Sequence, residues 1–61
     1  MQENNQFINS HKIWTTEEDQ QLDKLYNIDL LDIMHISQIH KRMPSGIIRR
    51  LIKKKYIKSR Q

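Results

Sequence analysis

Lys41, Arg42, Arg49, Arg50, Lys53, Lys54, Lys55, Lys58 and Arg60 lie in a stretch, Ile33 to Gln61, that contains no acidic residue. These are nine of the chain's eleven Lys and Arg residues, and all seven Asp and Glu residues fall at or before Asp32. The same stretch carries isoleucines at helical spacing. A strongly basic segment with an apolar face reads as a folded element that presents positive charge, not as a solvated tail alone. Its natural partner is a polyanion, and nucleic acid is the commonest one.

Other chemistries are poorly supplied. Cysteine is absent, so neither a disulfide nor a thiolate metal site is available. His11, His35 and His40 are the only imidazoles, and the five-residue spacing of the last two turns them to different sides of a helix. Sixty-one residues hold one small domain of modest stability. So small a core has no room for an extensive active-site cavity, so neither catalysis, a small-molecule substrate nor a cofactor is expected. No apolar run approaches the length of about 20 residues that spans a membrane, and no signal-peptide pattern is present. The expected setting is intracellular, with nucleic acid and away from membranes.

The elements that must position these cations can be read in order. Residues 1–11 are polar and read as a disordered tail, residues 12–57 as the folded domain, and 58–61 as a basic tail. Thr15-Thr16-Glu17-Glu18 is a capping box, in which Thr15 accepts from the Glu18 amide and the Glu18 carboxylate reaches back. Glu17, Glu18 and Asp19 suit the positive end of the helix dipole. The first helix is expected from about Thr16 to Tyr26, with Glu18, Leu22, Leu25 and Tyr26 inward. Asp32 is the candidate N-cap of a second helix, about Ile33 to His40, with Ile33, Ile36, Ile39 and His40 sharing a face. Ser37 is small enough to admit a neighbouring helix. Pro44 and Gly46, the only proline and glycine, mark the next boundary. A third helix is expected from about Pro44 to Lys55. No strand signal occurs, so the predicted fold is all-α: a three-helix bundle whose last two helices form a helix-turn-helix.

Ile47 and Leu51 are four apart and share the buried face of the third helix. If they are its centre, Ser45, Arg49, Lys53 and Tyr56 point outward. If Ile48 and Ile52 are buried too, the outward face becomes Gly46, Arg49, Arg50 and Lys53. Arg49 and Lys53 are exposed either way. Arg50 meets phosphate or pairs with Glu17 or Glu18. Ile48 and Ile52 widen the core, touch thymine methyls or meet a protein partner. Lys53-Lys54-Lys55 suits the negative end of the helix dipole as well as phosphate.

Trp14-Thr15-Thr16-Glu17-Glu18-Asp19, followed by Leu22, Leu25 and Tyr26, resembles the opening of Myb/SANT-like domains. Arg42-Met43-Pro44-Ser45-Gly46-Ile47-Ile48-Arg49-Arg50-Leu51 is similar to their third-helix signature. The likeness spans Ile13 to Ile57 and is nearest to minimal prokaryotic and viral Myb-like domains. It implies double-stranded DNA as partner, with the third helix in the major groove. Candidate contacts are Lys41, Arg42, Ser45, Ile48, Arg49, Arg50, Ile52, Lys53, Lys54 and Tyr56. Among them Ser45, Arg49 and Lys53 reach base edges, while Lys41, Arg42, Lys54, Lys55 and the tail through Arg60 sit on phosphates. About five neutralised phosphates give a salt slope near about −4.5. Lys41 stands where the family has a turn glycine, and Met43 where it has a capping threonine, which leaves Ser45 as the alternative cap. A homodimer or protein partner would supplement so small an interface. The alternatives are a SANT-type protein-interaction module and the DNA-binding adaptor of a larger recombinase-like protein.

Overall fold

Two of the helix starts are set by side chains that accept from exposed backbone amides. The Thr15 hydroxyl accepts from the Glu18 amide at 3.1 Å, opening α1 (Thr16–Asp23). The Asp32 carboxylate accepts from the His35 amide at 2.8 Å, opening α2 (Ile33–His40). The third, α3 (Pro44–Lys53), begins differently. Met43 occupies its cap position without a side-chain bond, and Pro44, which has no N–H to satisfy, fills the first turn. Ser45 is therefore inside the helix and does not cap it. The computed structural model describes residues 7–58, and among them there are three α-helices and no strand.

Each helix ends for a visible reason. α1 does not stop near Tyr26 but widens into a π-helical turn, Lys24–Ile28, whose end is marked by the Asp29 amide bonding the Lys24 carbonyl at 2.9 Å. Leu30 then takes a left-handed conformation (φ 56°). α2 ends at Lys41, also left-handed (φ 58°, ψ 42°), whose amide shares the Ser37 carbonyl with that of Arg42. α3 ends two residues before the expected Lys55. The Lys55 amide bonds the Ile52 carbonyl and the Tyr56 amide bonds the Leu51 carbonyl, with Lys55 left-handed. That pair of bonds is a Schellman motif, which satisfies the last carbonyls and turns the chain back.

The core is five side chains: Leu22 and Leu25 from the first helical segment, Ile36 from α2, and Ile47 and Leu51 from α3. Trp14, Tyr26, Leu31, Ile33 and Ile57 pack around it. The buried face of α2 is Ile36, Ser37 and His40, with Ile33 packed at its edge, so of the expected Ile33, Ile36, Ile39 and His40 only Ile39 turns outward, and the face is shifted slightly towards Ser37. Ile39 is 45% exposed. The shift follows from size. Ser37 is almost fully buried and bonds the Met34 carbonyl through its own hydroxyl at 3.1 Å. A helix whose contact residue is that small lies close to its neighbour, and α2 and α3 are packed together.

The segment before α1 is also placed from Phe7 onward. Asn9 donates its amide to the Lys41 carbonyl and its side-chain amide to the His40 carbonyl, both at 2.9 Å. The expected tail of residues 1–11 therefore shortens on the structural side. Residues 7–11 form a turn docked on the α2–α3 connection, and residues 1–6, like 59–61, lie outside the described residues.

Candidate nucleic-acid interface

The cations of the basic half divide between two sides of α3. On the side facing α1 they are paired. Arg42 is 3% exposed and forks onto Glu18, with Nε to Oε2 at 2.7 Å and a terminal nitrogen to Oε1 at 2.9 Å. Arg50 makes the same two-pronged contact with Asp19, at 2.9 and 2.7 Å. Lys54 lies 3.1 Å from Asp23 and 3.5 Å from Asp19. Both guanidiniums also lie over the Trp14 ring, 4.3 Å away for Arg42 and 5.2 Å for Arg50.

The geometry perturbs the carboxylates. Hydrogen bonds from Arg42 hold the Glu18 carboxyl below its ordinary value, outweighing the upward push of burial, with His40 adding to the lowering. Hydrogen bonds from Arg50 do the same for Asp19. The Lys54 ammonium is raised: its hydrogen bond to Asp23 and the charges of Asp19 and Asp23 together outweigh desolvation. The Glu18 carboxylate is thus spent on Arg42 and on His40, whose Nδ1 lies 3.0 Å away. The second half of the expected capping box gives way to these partners, which a buried guanidinium needs more than an exposed first-turn amide does.

On the opposite side of α3, Ser45, Arg49 and Lys53 are exposed. Neither Arg49 nor Lys53 forms an ion pair among the described residues. They are four apart and lie on one side of the helix, as both choices of buried face required. Lys41 and Lys55, at the left-handed ends of α2 and α3, are exposed too, as is Lys58. Ile48 and Ile52 are half-buried, and neither is among the side chains that pack against the core cluster.

Four of the candidate contacts are therefore placed in the fold's own bonding. Arg42 is buried. Arg50, for which phosphate or an acid of the first helix stood open, pairs with that helix, through Asp19 and not Glu17 or Glu18. Lys54 bridges two aspartates. Tyr56 stacks on Tyr26, with ring centroids 5.9 Å apart and planes 8° from parallel, and donates its hydroxyl to Asp23 at 2.9 Å. The Schellman turn causes this last placement by directing Tyr56 back towards α1.

Beside the exposed face of α3 is a groove of about 500 Å³. One wall is the docked turn Ser10–Lys12, the other is Ser45, Gly46, Arg49 and Lys53, and Trp14, Arg42 and Arg50 lie between. Lys12 and His11 on that wall were not among the expected contacts: His11 was read as tail, and Lys12, the first residue of the expected domain, lies outside the basic half. The available signal was Asn9 and Lys12 just before Trp14, polar residues that can anchor and charge a turn. Comparison with known proteins finds no matching family model, no matching curated protein and no matching solved structure.

Proposed function

We propose that this chain is a non-catalytic double-stranded DNA-binding module, in which α2 and α3 act as a Myb-like helix-turn-helix and α3 enters the major groove. The observation that carries this reading is the sorting of charge around α3. Arg42, Arg50 and Lys54 are neutralised by α1, whereas Arg49 and Lys53 project on the other side without an acidic partner among the described residues. Cations held by carboxylates contribute to the fold, and those left over contribute to the outward field. Arg49 is the residue of choice for a forked contact with guanine, with Ser45 and Lys53 beside it. Lys41, Lys55 and Lys58 serve phosphates. With Arg42 and Lys54 withdrawn from that set, about three phosphates remain and the slope of log K against log salt becomes about −2.7.

The test is duplex binding followed by fluorescence anisotropy at several salt concentrations, on the natural chain and on an Arg49→Ala, Lys53→Ala double variant. The reading expects salt-dependent binding that the double variant loses while its circular dichroism is unchanged. Binding that ignores salt, or a double variant that binds as before, contradicts it. The protein-interaction alternative would use Ile48 and Ile52, half-buried and outside the core cluster, and it expects the double variant to lose a protein complex while duplex binding is unchanged.

A further inference from the structure

We infer that the groove between the Ser10–Lys12 turn and α3 seats a phosphoryl anion, and that Lys12 belongs to the binding surface with Arg49 and Lys53. The identity of the anion as a backbone phosphate of a duplex rests on the DNA-binding reading; the seat itself does not.

Three cationic side chains line one concavity from two walls. Lys12 comes from the docked turn, and Arg49 and Lys53 from successive turns of α3. All three are exposed, and none forms an ion pair among the described residues. Like charges gathered in one groove repel, and a multiply charged oxyanion relieves that repulsion. The two guanidiniums between the walls, Arg42 and Arg50, are already committed to Glu18 and Asp19. The net attraction therefore comes from Lys12, Arg49 and Lys53: Lys12 meets the anion directly, while Arg49 and Lys53 add their field from the α3 wall and stay free for base edges.

The outer wall is held in register with α3. Asn9 ties it to the carbonyls of His40 and Lys41, and the Lys12 amide bonds the Asn9 carbonyl at 3.0 Å. Lys12 is thus carried on an anchored turn, which lowers the entropic cost of bringing it to a ligand. A second observation concerns hydrogen bonding. Ser10 is among the residues lining the groove, and its hydroxyl, closed to solvent behind that wall, makes no hydrogen bond. It is a donor that lacks an acceptor, and a small opening of the turn presents it to an oxyanion. The α3 side leaves room for close approach, since nothing lies within 4 Å of where a side chain at Gly46 would begin.

The experiment has two arms. In the first, the isotope-labelled full chain is titrated with inorganic phosphate against chloride at equal ionic strength. Saturable amide shifts at His11, Lys12, Ser45 and Gly46, lost in Lys12→Gln, are expected. Shifts that are absent, or spread evenly to remote cations such as Lys24, overturn the seat. In the second, duplex affinity is measured against salt for Lys12→Gln and for Lys24→Gln as control. Lys12→Gln is expected to shrink the slope by about 0.9, the loss of one phosphate, while Lys24→Gln leaves it unchanged. An unchanged slope in Lys12→Gln overturns the assignment of the seated anion as a duplex phosphate. A chain that binds phosphate in the groove but no duplex keeps the seat and refutes the DNA reading, so the two failures are distinguishable.

Discussion

At the scale of single residues, the forked pairs Arg42–Glu18 and Arg50–Asp19 decide what the remaining cations are free to do. Arg42 is the more demanding of the two, because it is almost wholly buried. Removing one partner from such a pair typically costs about 3–5 kcal/mol. A chain of this length has only a few kcal/mol of stability, roughly 0.05–0.15 kcal/mol per residue, so Arg42 belongs to the fold before it belongs to any interface. The carboxylates give a pH signature. Glu18 and Asp19 are held below their ordinary values of 4.5 and 3.8 by their arginines. A carboxylate with a depressed folded-state pKa contributes its stability in full above its unfolded value. That contribution is lost as pH falls through the lower, folded value. Thermal melts should therefore fall as pH drops through the ordinary carboxylate range and below it. Asp19→Asn should make that drop shallower; an acid limb of unchanged depth in this variant refutes the assignment. The Asp19–Arg50 pair was within reach of the sequence. Asp19 and Asp23 are four apart on α1, Arg50 on α3 and Lys54 at its C-cap are four apart too, and two such rows facing each other make a ladder. What the sequence did not reveal is which acid met which base, because that depends on the rotation of α1 about its axis.

At the scale of elements, the starts of all three helices were legible, and their ends were less so. Caps are local: Thr15, Asp32 and Pro44 announce themselves within one turn. Ends depend on where the chain must go next. The π-helical turn at Lys24–Ile28 and the Schellman turn at Lys54–Tyr56 are both left without a glycine to mark them. Instead Leu30, Lys41 and Lys55 adopt left-handed backbone at some energetic cost. Lys41 gives a clean test, since it is both the left-handed residue between α2 and α3 and a proposed phosphate contact. Lys41→Gly is expected to stabilise the domain by about 1 kcal/mol, a rise of about 4–8 °C in Tm. It should also reduce the salt slope of duplex binding by about 0.9. A stabilised variant with an unchanged slope would remove Lys41 from the interface. The docked turn before α1 was the largest omission of the sequence reading. A polar segment with no periodicity carries no helical or strand signal, and its order comes from two hydrogen bonds of Asn9 to carbonyls more than thirty residues away.

At the scale of the whole molecule, the segregation of acids before Asp32 and bases after it serves two purposes. α1 faces α3 with Glu18, Asp19 and Asp23, and these neutralise Arg42, Arg50 and Lys54. What remains positive is an outer surface made of Lys12, Lys41, Arg49, Lys53 and Lys55, on the flank and ends of α3. The polarity that holds the helices together thus also aims the unpaired charge, with the acidic helix turned away from the proposed duplex. No helix among the described residues is long and apolar enough to cross a membrane. The central claim is that α3 presents its Arg49–Lys53 side to DNA, and the most direct measurement is an amide chemical-shift map on adding a mixed-sequence duplex. The largest changes are expected at Ser45, Arg49 and Lys53, with Lys12 and Lys41 following. Changes confined to Thr16–Asp23, or none at all, would contradict the account.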